Sequence, residues 1–417
     1  MGVLVVLFTV SSLLLFAESK TYWGDTQVLK QLKNGLDPYS VSQGSCISSW
    51  DFSLDPCDSL FSDRFTCGFR CDLVDDSGVS RVTEIGLDQA GYSGSSLSSL
   101  SWDLPYLETL DLSGNFFSGS LPDSFSNLTR LRRLALSGNS FSGSIPASIG
   151  SLASLEELFL DNNHLDGSIP RSLNNLVSLN RLEIQANRLG GEFPKLDSLN
   201  SLYYLDASNN AITGQIPSTF PASLIQISMR NNSLVGTVPE TIQQLGSLQV
   251  LDLSHNQLGD SVPWYLFNHP SLQQLTLSFN QFSSLQTPNS IGIQSQLIAV
   301  DLSNNNLQGP LPSFMALMPK LSALSLENNK FTGMIPTQYA YKVAVPGSGV
   351  SPLVRLLLGG NYLFGPLPGP LLGMKPGSAN VGLGNNCLYR CPRVFFFCQG
   401  GDQKPSSECR SFNPVIP

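Results

Sequence analysis

The stretch LALSGNSFSGSIP, residues 134–146, decides the fold because close copies of it recur along most of the chain. The copies share the pattern L-x-L-x-x-N-x-L-x-G-x-I-P, and its first three Asn-to-Asn steps are each 24 residues long. Such a constant period predicts one solenoid of stacked repeats rather than several globular domains. The repeated Asn stands at positions 115, 139, 163, 187, 210, 232, 256, 280, 305, 329 and 361.

Each residue that recurs in the repeat has a physical reason. Alternating apolar residues such as Leu110 and Leu112 predict a short strand with one inward face, and stacked copies predict a parallel sheet. The Asn follows the strand at a sharp turn, where its amide can both donate to and accept from buried backbone groups. We therefore expect a ladder of stacked Asn side chains. Gly143 is expected at positive φ, and Pro146 at the start of the return path.

The segment L-x-G-x-I-P, seen in LSGNSFSGSIP, LDNNHLDGSIP and LENNKFTGMIP, resembles the plant-type extracellular leucine-rich repeats. The resemblance covers residues 85 to about 390. It implies an α/β solenoid, a leucine-rich-repeat superhelix with a parallel β-sheet on the concave face and disulfide-stapled N- and C-terminal caps. Members include receptor-kinase ectodomains, receptor-like proteins and polygalacturonase inhibitors, so the motif is specific for fold and weakly informative about ligand.

Four segments are predicted along the chain. Residues 3–17 are apolar and Ala17-Glu18-Ser19 fits a small-x-small cleavage site, which indicates a signal peptide. Beyond residue 20 no apolar run approaches the roughly 20 residues needed to span a bilayer, so we expect a secreted protein of the apoplast or cell wall. The predicted boundaries are signal peptide 1–19, N-terminal cysteine cap 20–84, solenoid 85–386 with about 11 full repeats and degenerate ends, and C-terminal cysteine cap and tail 387–417.

The eight cysteines fall into two groups that flank the repeats. At about 4.8 Å per stacked strand the groups lie roughly 50 Å apart, whereas a disulfide requires Cα atoms within about 7 Å. Pairing is therefore expected within each group, with three connectivities open at each end. A zinc site at CGFRC or CLYRC is the weaker alternative, because export favours oxidation. The cysteines are Cys46, Cys57, Cys67 and Cys71 before the repeats, and Cys387, Cys391, Cys398 and Cys409 after them.

The N-terminal cap has its own pattern. Helical apolar spacing predicts a helix over residues 25–36. With SSWDFSLDPC following, the segment resembles the N-terminal cap of the plant repeats. Cys46 and Cys71 go beyond the simplest form of that cap and suggest a double staple.

Several function classes are disfavoured. A net charge of -8 argues against nucleic acid or an anionic membrane surface as the main partner. The three histidines are widely separated, and no G-x-S-x-G, phosphate-binding loop or kinase signature is present. We expect neither an enzyme nor a cofactor or metal.

Binding is the favoured use of the solvent-facing columns of the sheet. Most of these positions are Ser or Asp, and the Asp of the LDLS-type phrase is interpreted as repeat background. Aromatic and Arg side chains dominate protein interfaces, so their cluster on four successive repeats predicts a docking patch for a peptide or protein. Arg181 and Arg230 are expected to engage carboxylates of the ligand. The alternative is ordinary surface aromatics that shield the sheet. The patch comprises Phe159, Arg181, Glu183, Tyr203, Tyr204 and Arg230.

Two further features concern the surface. The sequons Asn127-Leu128-Thr129 and Asn231-Asn232-Ser233 predict N-glycosylation. The step from Asn329 to Asn361 is 32 residues long, and the extra residues around YKVAVPGSGVSPL are interpreted as a lengthened outer loop.

The sequence thus predicts a non-catalytic extracellular recognition module that binds a peptide or protein ligand, with a membrane receptor kinase as a candidate partner. Two other functions stay open. One is inhibition of a cell-wall-degrading enzyme, as in the polygalacturonase inhibitors, and the other is a structural role in the cell wall.

Overall fold

A computed structural model describes residues 20–73, 78–94, 96–287, 294–344, 351–413 and 415. The predicted signal peptide, residues 1–19, lies outside them. One 14-stranded sheet dominates the fold. Its first two strands are antiparallel, and each later strand pairs in parallel with that of the preceding repeat, as predicted. The strands are Phe69–Leu73, Ser80–Gly86, Thr109–Asp111, Arg133–Ala135, Glu157–Phe159, Arg181–Glu183, Tyr204–Asp206, Gln226–Ser228, Val250–Asp252, Gln274–Thr276, Ala299–Asp301, Ala323–Ser325, Arg355–Leu357 and Asn380–Gly382.

The repeat strands are three residues long because only their central residue enters the core. Leu134, Leu158 and Leu182 are central residues with no solvent exposure, and their side chains stack along the solenoid. The apolar residue two positions later, such as Leu136, is equally buried. The two rows form one continuous core that a single repeat could not enclose.

A second set of strands follows the Asn turns and forms three smaller parallel sheets. Gly143 lies in one of them with a φ of 77°, the left-handed conformation that the sequence predicted. These strands are Ser93–Gly94, Phe116–Gly119, Ser140–Ser144 and His164–Asp166; Gly190–Glu192, Ala211–Gln215, Ser233–Gly236, Gln257–Val262 and Gln281–Leu285; and Gln308–Pro310, Lys330–Gly333, Tyr362–Pro366 and Cys387–Tyr389.

The return paths are mostly single helical turns. Pro146, with a φ of -64°, directly precedes one such turn, as the sequence predicted. The 3-10 helices are Pro38–Ser40, Ile47–Ser49, Ser96–Ser99, Asp123–Asn127, Ala147–Ser151, Arg171–Asn175, Glu240–Gln244, Trp264–Leu266 and Phe396–Cys398. The α-helices are Trp23–Asn34, Ser313–Ala316, Thr337–Ala344, Gly369–Leu372 and Ser406–Phe412.

The predicted ladder of Asn side chains is present. Asn163 Nδ2 donates to the carbonyl of Leu160 in its own repeat at 3.2 Å and to that of Leu136 in the preceding repeat at 2.9 Å. Its Oδ1 accepts the backbone N–H of Phe141, also in the preceding repeat, at 3.0 Å. Each Asn therefore ties two successive turns together. The pattern recurs at Asn139, Asn187, Asn210, Asn232, Asn256, Asn280, Asn305, Asn329, Asn361 and Asn386.

The N-terminal helix, Trp23–Asn34, agrees with the predicted segment to within two residues. Its Asp25 is fully buried and holds Arg81 through two hydrogen bonds of 3.0 and 2.8 Å. The same carboxylate accepts the backbone N–H of Val82 at 2.9 Å. Because these partners lie on the second strand of the long sheet, the buried ion pair fixes the cap to the solenoid.

Four disulfides staple the ends, and all of them form within a cap, as predicted. Cys46 and Cys71 are bonded to the other two N-terminal cysteines rather than to each other, so the two bonds interleave along the chain. The pairs are Cys46–Cys67, Cys57–Cys71, Cys387–Cys409 and Cys391–Cys398.

The long step before Asn361 contains the helix Thr337–Ala344, so the interpretation of the segment YKVAVPGSGVSPL as a loop was wrong for residues 341–344. Tyr339 explains the helix, because its ring is fully buried and its hydroxyl donates to the carbonyl of Pro312 at 2.7 Å. Lys342 on the same helix is also buried, and its Nζ donates to the carbonyl of Met318. Residues 345–350 lie outside the described part of the chain.

Among the described residues, none of the helices combines the length and the apolar character required to cross a bilayer.

Replacing Asn305 by Ala tests the ladder. The substitution leaves the N–H of Phe282 and the carbonyls of Leu277 and Leu302 without their amide partner. Since an unsatisfied buried polar group costs about 1–3 kcal/mol, we expect the free energy of unfolding in urea to fall by roughly 3 kcal/mol. Asn306→Ala is the matched control, because this neighbouring side chain is exposed and should change stability little. Equal effects of the two substitutions would contradict the ladder's role.

Burial lowers the pKa of Lys342 to about 8 from an ordinary value of 10.5. Between those pH values the unfolded chain binds a proton that the folded chain does not, so this group's contribution to stability rises with pH across the window. We expect urea midpoints at pH 7.5 and pH 10 to show that Lys342→Met removes this rise, on the order of 1 kcal/mol. Lys330→Met, at an exposed position, should follow the wild-type pH dependence. An unaltered pH dependence in Lys342→Met would refute the assignment.

Candidate functional site

The candidate site lies on the solvent-facing side of the long sheet, which we call the sheet face. On most repeat strands the first and third residues are partly exposed on one face while the central one is buried, as in Arg181, Leu182 and Glu183. The third residue is itself buried in three strands, at Ala135, Ser228 and Ser325. Strand pairing aligns these positions into columns that run along the solenoid. The first column comprises Thr109, Arg133, Glu157, Arg181, Tyr204, Gln226, Val250, Gln274, Ala299, Ala323 and Arg355.

Four side chains of the sheet face form a continuous stack of guanidinium groups and aromatic rings. The Arg133 guanidinium lies 4.5 Å from the ring centre of Phe159. The Arg181 guanidinium lies 5.7 Å from the same ring and 4.2 Å from that of Tyr204. Such contacts hold the flat groups in place on the strand surface. The structure thus brings together Phe159, Arg181 and Tyr204, as the sequence predicted for this patch.

The stack is internally neutralised. Arg181 Nε and Nη2 each lie 2.6 Å from Glu183 Oε1, while Gln185 donates to Glu183 Oε2 at 2.9 Å. Arg133 likewise forms an ion pair with Glu157. The sequence predicted that Arg181 engages a carboxylate of the ligand and did not predict this pairing with Glu183. The pairing forms because residues i and i+2 of a strand face the same side and are near neighbours. Arg181 is thus held between two rings with its charge paired to Glu183.

Tyr203 and Arg230 lie beside the stack. Tyr203 directly precedes its strand, in the column next to Arg181, and is 37% exposed. Arg230 follows the next strand and is exposed. Within the described part of the chain it forms no ion pair, so its charge is available to a ligand. Tyr203 also interacts with the Arg181 side chain through its hydroxyl. The predicted patch is therefore a core of five neighbouring side chains with Arg230 at its edge.

The Asp residues of the LDLS-type phrase have a structural role. Asp206, Asp252 and Asp301 each accept, through Oδ1, the backbone N–H of the Ser two residues later, at 2.9 to 3.0 Å. This bond shapes the turn that leads to the ladder Asn, which explains why the phrase repeats. Burial raises the pKa of Asp206, against the lowering effect of its hydrogen bond from Ser208.

Sequence reasoning missed a depression in the sheet face towards the C-terminal end. It has a volume of about 170 Å³ and lies over Ala299 and Ala323, with Asp301 and Arg355 at its border. Two successive Ala residues create it, in a column whose other members all have larger side chains. That pair of Ala residues was the signal available in the sequence.

The predicted glycosylation positions are on the surface. Asn127 is exposed at the end of the 3-10 helix Asp123–Asn127, and Asn231 is exposed in the turn just before the ladder residue Asn232. Of the histidines, His269 is buried and bonds to the carbonyl of Ile242 at 3.2 Å, and burial lowers its pKa. Among the described residues no three His, Cys, Asp or Glu side chains are grouped to hold a metal ion.

Comparisons with known proteins agree with this geometry. Leucine-rich-repeat family models match residues 95–141, 154–176, 200–258 and 296–318. The chain is 45% identical over 56 residues to Protein STRUBBELIG-RECEPTOR FAMILY 1 of Arabidopsis thaliana. The aligned segment covers 13% of this chain and 7% of that protein.

Two solved ectodomains share the fold over most of the chain. The plant peptide hormone receptor RGFR1, in complex with RGF2, has a TM-score of 0.64 and 29% identity, covering 72% of this chain and 48% of its own. The LRR ectodomain of the receptor kinase GASSHO1/SCHENGEN3 of Arabidopsis thaliana, in complex with CASPARIAN STRIP INTEGRITY FACTOR 2, has a TM-score of 0.66 and 31% identity. The match covers 77% of this chain and 40% of the ectodomain. The chain thus spans less than half the length of these relatives.

The repeat signature, the Asn ladder, the 14-stranded sheet and these matches lead to one conclusion. The chain has the leucine-rich-repeat fold, and it is similar to the ectodomains of plant receptors.

Proposed function

We propose that the protein is an extracellular, receptor-like module that binds a peptide or protein ligand on its sheet face. The observation that carries this proposal is the stack of Arg133, Phe159, Arg181 and Tyr204, which presents flat, immobilised side chains at the middle of an open surface. Immobilised rings and guanidinium groups lose little conformational entropy on binding, which favours affinity.

The solved relatives support a ligand of this class. Two structures that share the fold, at 29% and 31% identity, are the peptide hormone receptor RGFR1 in complex with RGF2 and GASSHO1/SCHENGEN3 in complex with CASPARIAN STRIP INTEGRITY FACTOR 2. The disulfide-stapled caps fit an oxidising, extracellular compartment such as the apoplast. A membrane receptor kinase stays a candidate partner, and Asn127 and Asn231 stay candidate glycan positions.

Within the proposed patch, two residues offer the most binding free energy. Tyr204 is half-buried against Arg181 and presents one ring face, and Arg230 is an exposed guanidinium without an ion pair in the described structure. Phe159, Glu183 and Tyr203 would complete the contact surface around them.

Replacing Tyr204 and Arg230 together by Ala tests the site. A partner is first captured from extracellular fluid and identified, and its affinity is then measured by calorimetry. We expect at least about tenfold weaker binding, which corresponds to about 1.4 kcal/mol. The control replaces Tyr341 and Arg188 together by Ala, because both are exposed but lie off the sheet face. Wild-type affinity in the Tyr204 and Arg230 variant would remove the patch from the binding surface.

A further inference from the structure

The depression over Ala299 and Ala323 is a slot with an apolar floor. The side chains of Ala299 and Ala323 line its floor, together with the backbone of the central strand residues such as Val300 and Leu324, whose side chains are buried in the core. Along the chain, Ile298 and Val354 directly precede two of these strands and are 41% and 54% exposed. A cavity of about 150 Å³ holds a benzene-sized group. At about 170 Å³, the slot has room for one apolar side chain of a ligand.

One carboxylate and one guanidinium border the slot, those of Asp301 and Arg355. Asp252 lies outside it, two strands towards the N-terminus in the same column as Asp301. Glu327 follows the strand of Ala323, and its carboxylate lies near Gly359 and Gly382 on the Arg355 side. Each Asp uses Oδ1 to bind its own turn. In the described structure none of these three carboxylates forms an ion pair. The side of the slot towards Asp252 and Asp301 therefore carries negative charge that a cationic group of a ligand would neutralise.

Arg355 is the cation at the opposite end of the slot. It is exposed and unpaired within the described residues. Burial raises the pKa of Glu327 and Asp301 adds repulsion, while Arg355 only partly offsets both effects. The two ends of the slot thus carry opposite charges, with negative charge on the Asp252 side and positive charge at Arg355.

The spacing of the strands fits an extended peptide. Stacked strands lie about 4.8 Å apart, and residues i and i+2 of an extended chain lie about 6.7 Å apart on one face. A peptide that runs along the solenoid with residue i in the slot therefore places residue i+2 about one and a half strands away. On the Asp252 side a Lys or Arg side chain at that position reaches both Asp252 and Asp301.

We propose that the slot binds an extended peptide segment that inserts one apolar side chain over Ala299 and Ala323 and sets a Lys or Arg against Asp252 and Asp301. The proposal rests on the proposed function, because it assumes that the sheet face is the binding surface. It adds the chemical class of the ligand, an apolar residue spaced two positions from a basic one.

The probes are fluorescein-labelled nonapeptide pools, measured with the full chain by fluorescence anisotropy. The first pool fixes Lys and Leu two positions apart, in both orders. The second replaces Lys by Glu, and the third replaces Leu by Gly. We expect the first pool to bind at least about tenfold more tightly than the other two, a difference of about 1.4 kcal/mol.

Three variants separate the parts of the slot. Ala323→Gln fills it with a side chain that the same column carries at Gln274, so the fold should accept it, and binding of the first pool should fall at least about tenfold. Asp252→Asn with Asp301→Asn keeps the turn bonds but removes the charges, and should weaken binding comparably. Asp111→Asn is the matched control and should leave binding unchanged, because this Asp makes the same turn bond far from the slot.

Arg355→Gln is not expected to weaken binding of the first pool, in contrast to the other substitutions at the slot. Removing the cation should leave or strengthen binding of the Lys-containing pool, whereas a slot for acidic peptides would lose affinity. Tighter binding of the Glu pool, unchanged binding in Ala323→Gln, or no binding of any pool at millimolar concentration would overturn the proposal. The proposed function is judged separately, by the affinity of the captured partner for the Tyr204 and Arg230 variant.

Discussion

The fold depends on one interaction, the hydrogen bonds of the ladder Asn side chains to backbone groups in two successive turns. A sharp turn inside a coil exposes N–H and C=O groups that neither strand pairing nor water can satisfy. Asn163 shows the solution, because its amide reaches Leu160 in its own repeat and both Leu136 and Phe141 in the repeat before. Asp could accept but not donate, and Leu could do neither. This explains why one residue type recurs while the letters around it change.

The sheet face follows from this constraint. Because the ladder fixes the turn and the buried Leu row fixes the register, the first residue of each strand can vary without loss of fold, whereas the third is often an Asp that bonds to the turn. The chain uses that freedom in two ways. Around Phe159 and Tyr204 it places large, mutually stacked side chains with their charges paired, and around Ala299 and Ala323 it places small ones that leave a charged slot. One scaffold thus presents two surfaces of different chemistry about five strands apart.

Much of the fold was predictable from sequence because each structural role in the repeat falls at a fixed position of a nearly constant period. The period gave the parallel sheet, the position of Asn163 in the core, and the positive φ of Gly143. Distance along the stack gave disulfides within each cap, but spacing alone left the pairing of Cys46 with Cys67 open. The helix over residues 337–344 was missed because its stability comes from the tertiary contact of Tyr339, which has no local pattern. At the site, the sequence identified which side chains face solvent. It did not show that Arg181 is neutralised by Glu183, because pairing depends on side-chain conformation.

Amide hydrogen exchange along the ladder tests this account most directly. The N–H groups of Phe141, Leu234 and Leu307 donate to ladder Asn side chains of the following repeat. If the ladder ties the turns together, these amides exchange as slowly as those of the neighbouring strands, because both open only when the stack opens. Exchange at the rate of exposed turns, while the strands stay protected, would show that the Asn side chains do not hold the solenoid together.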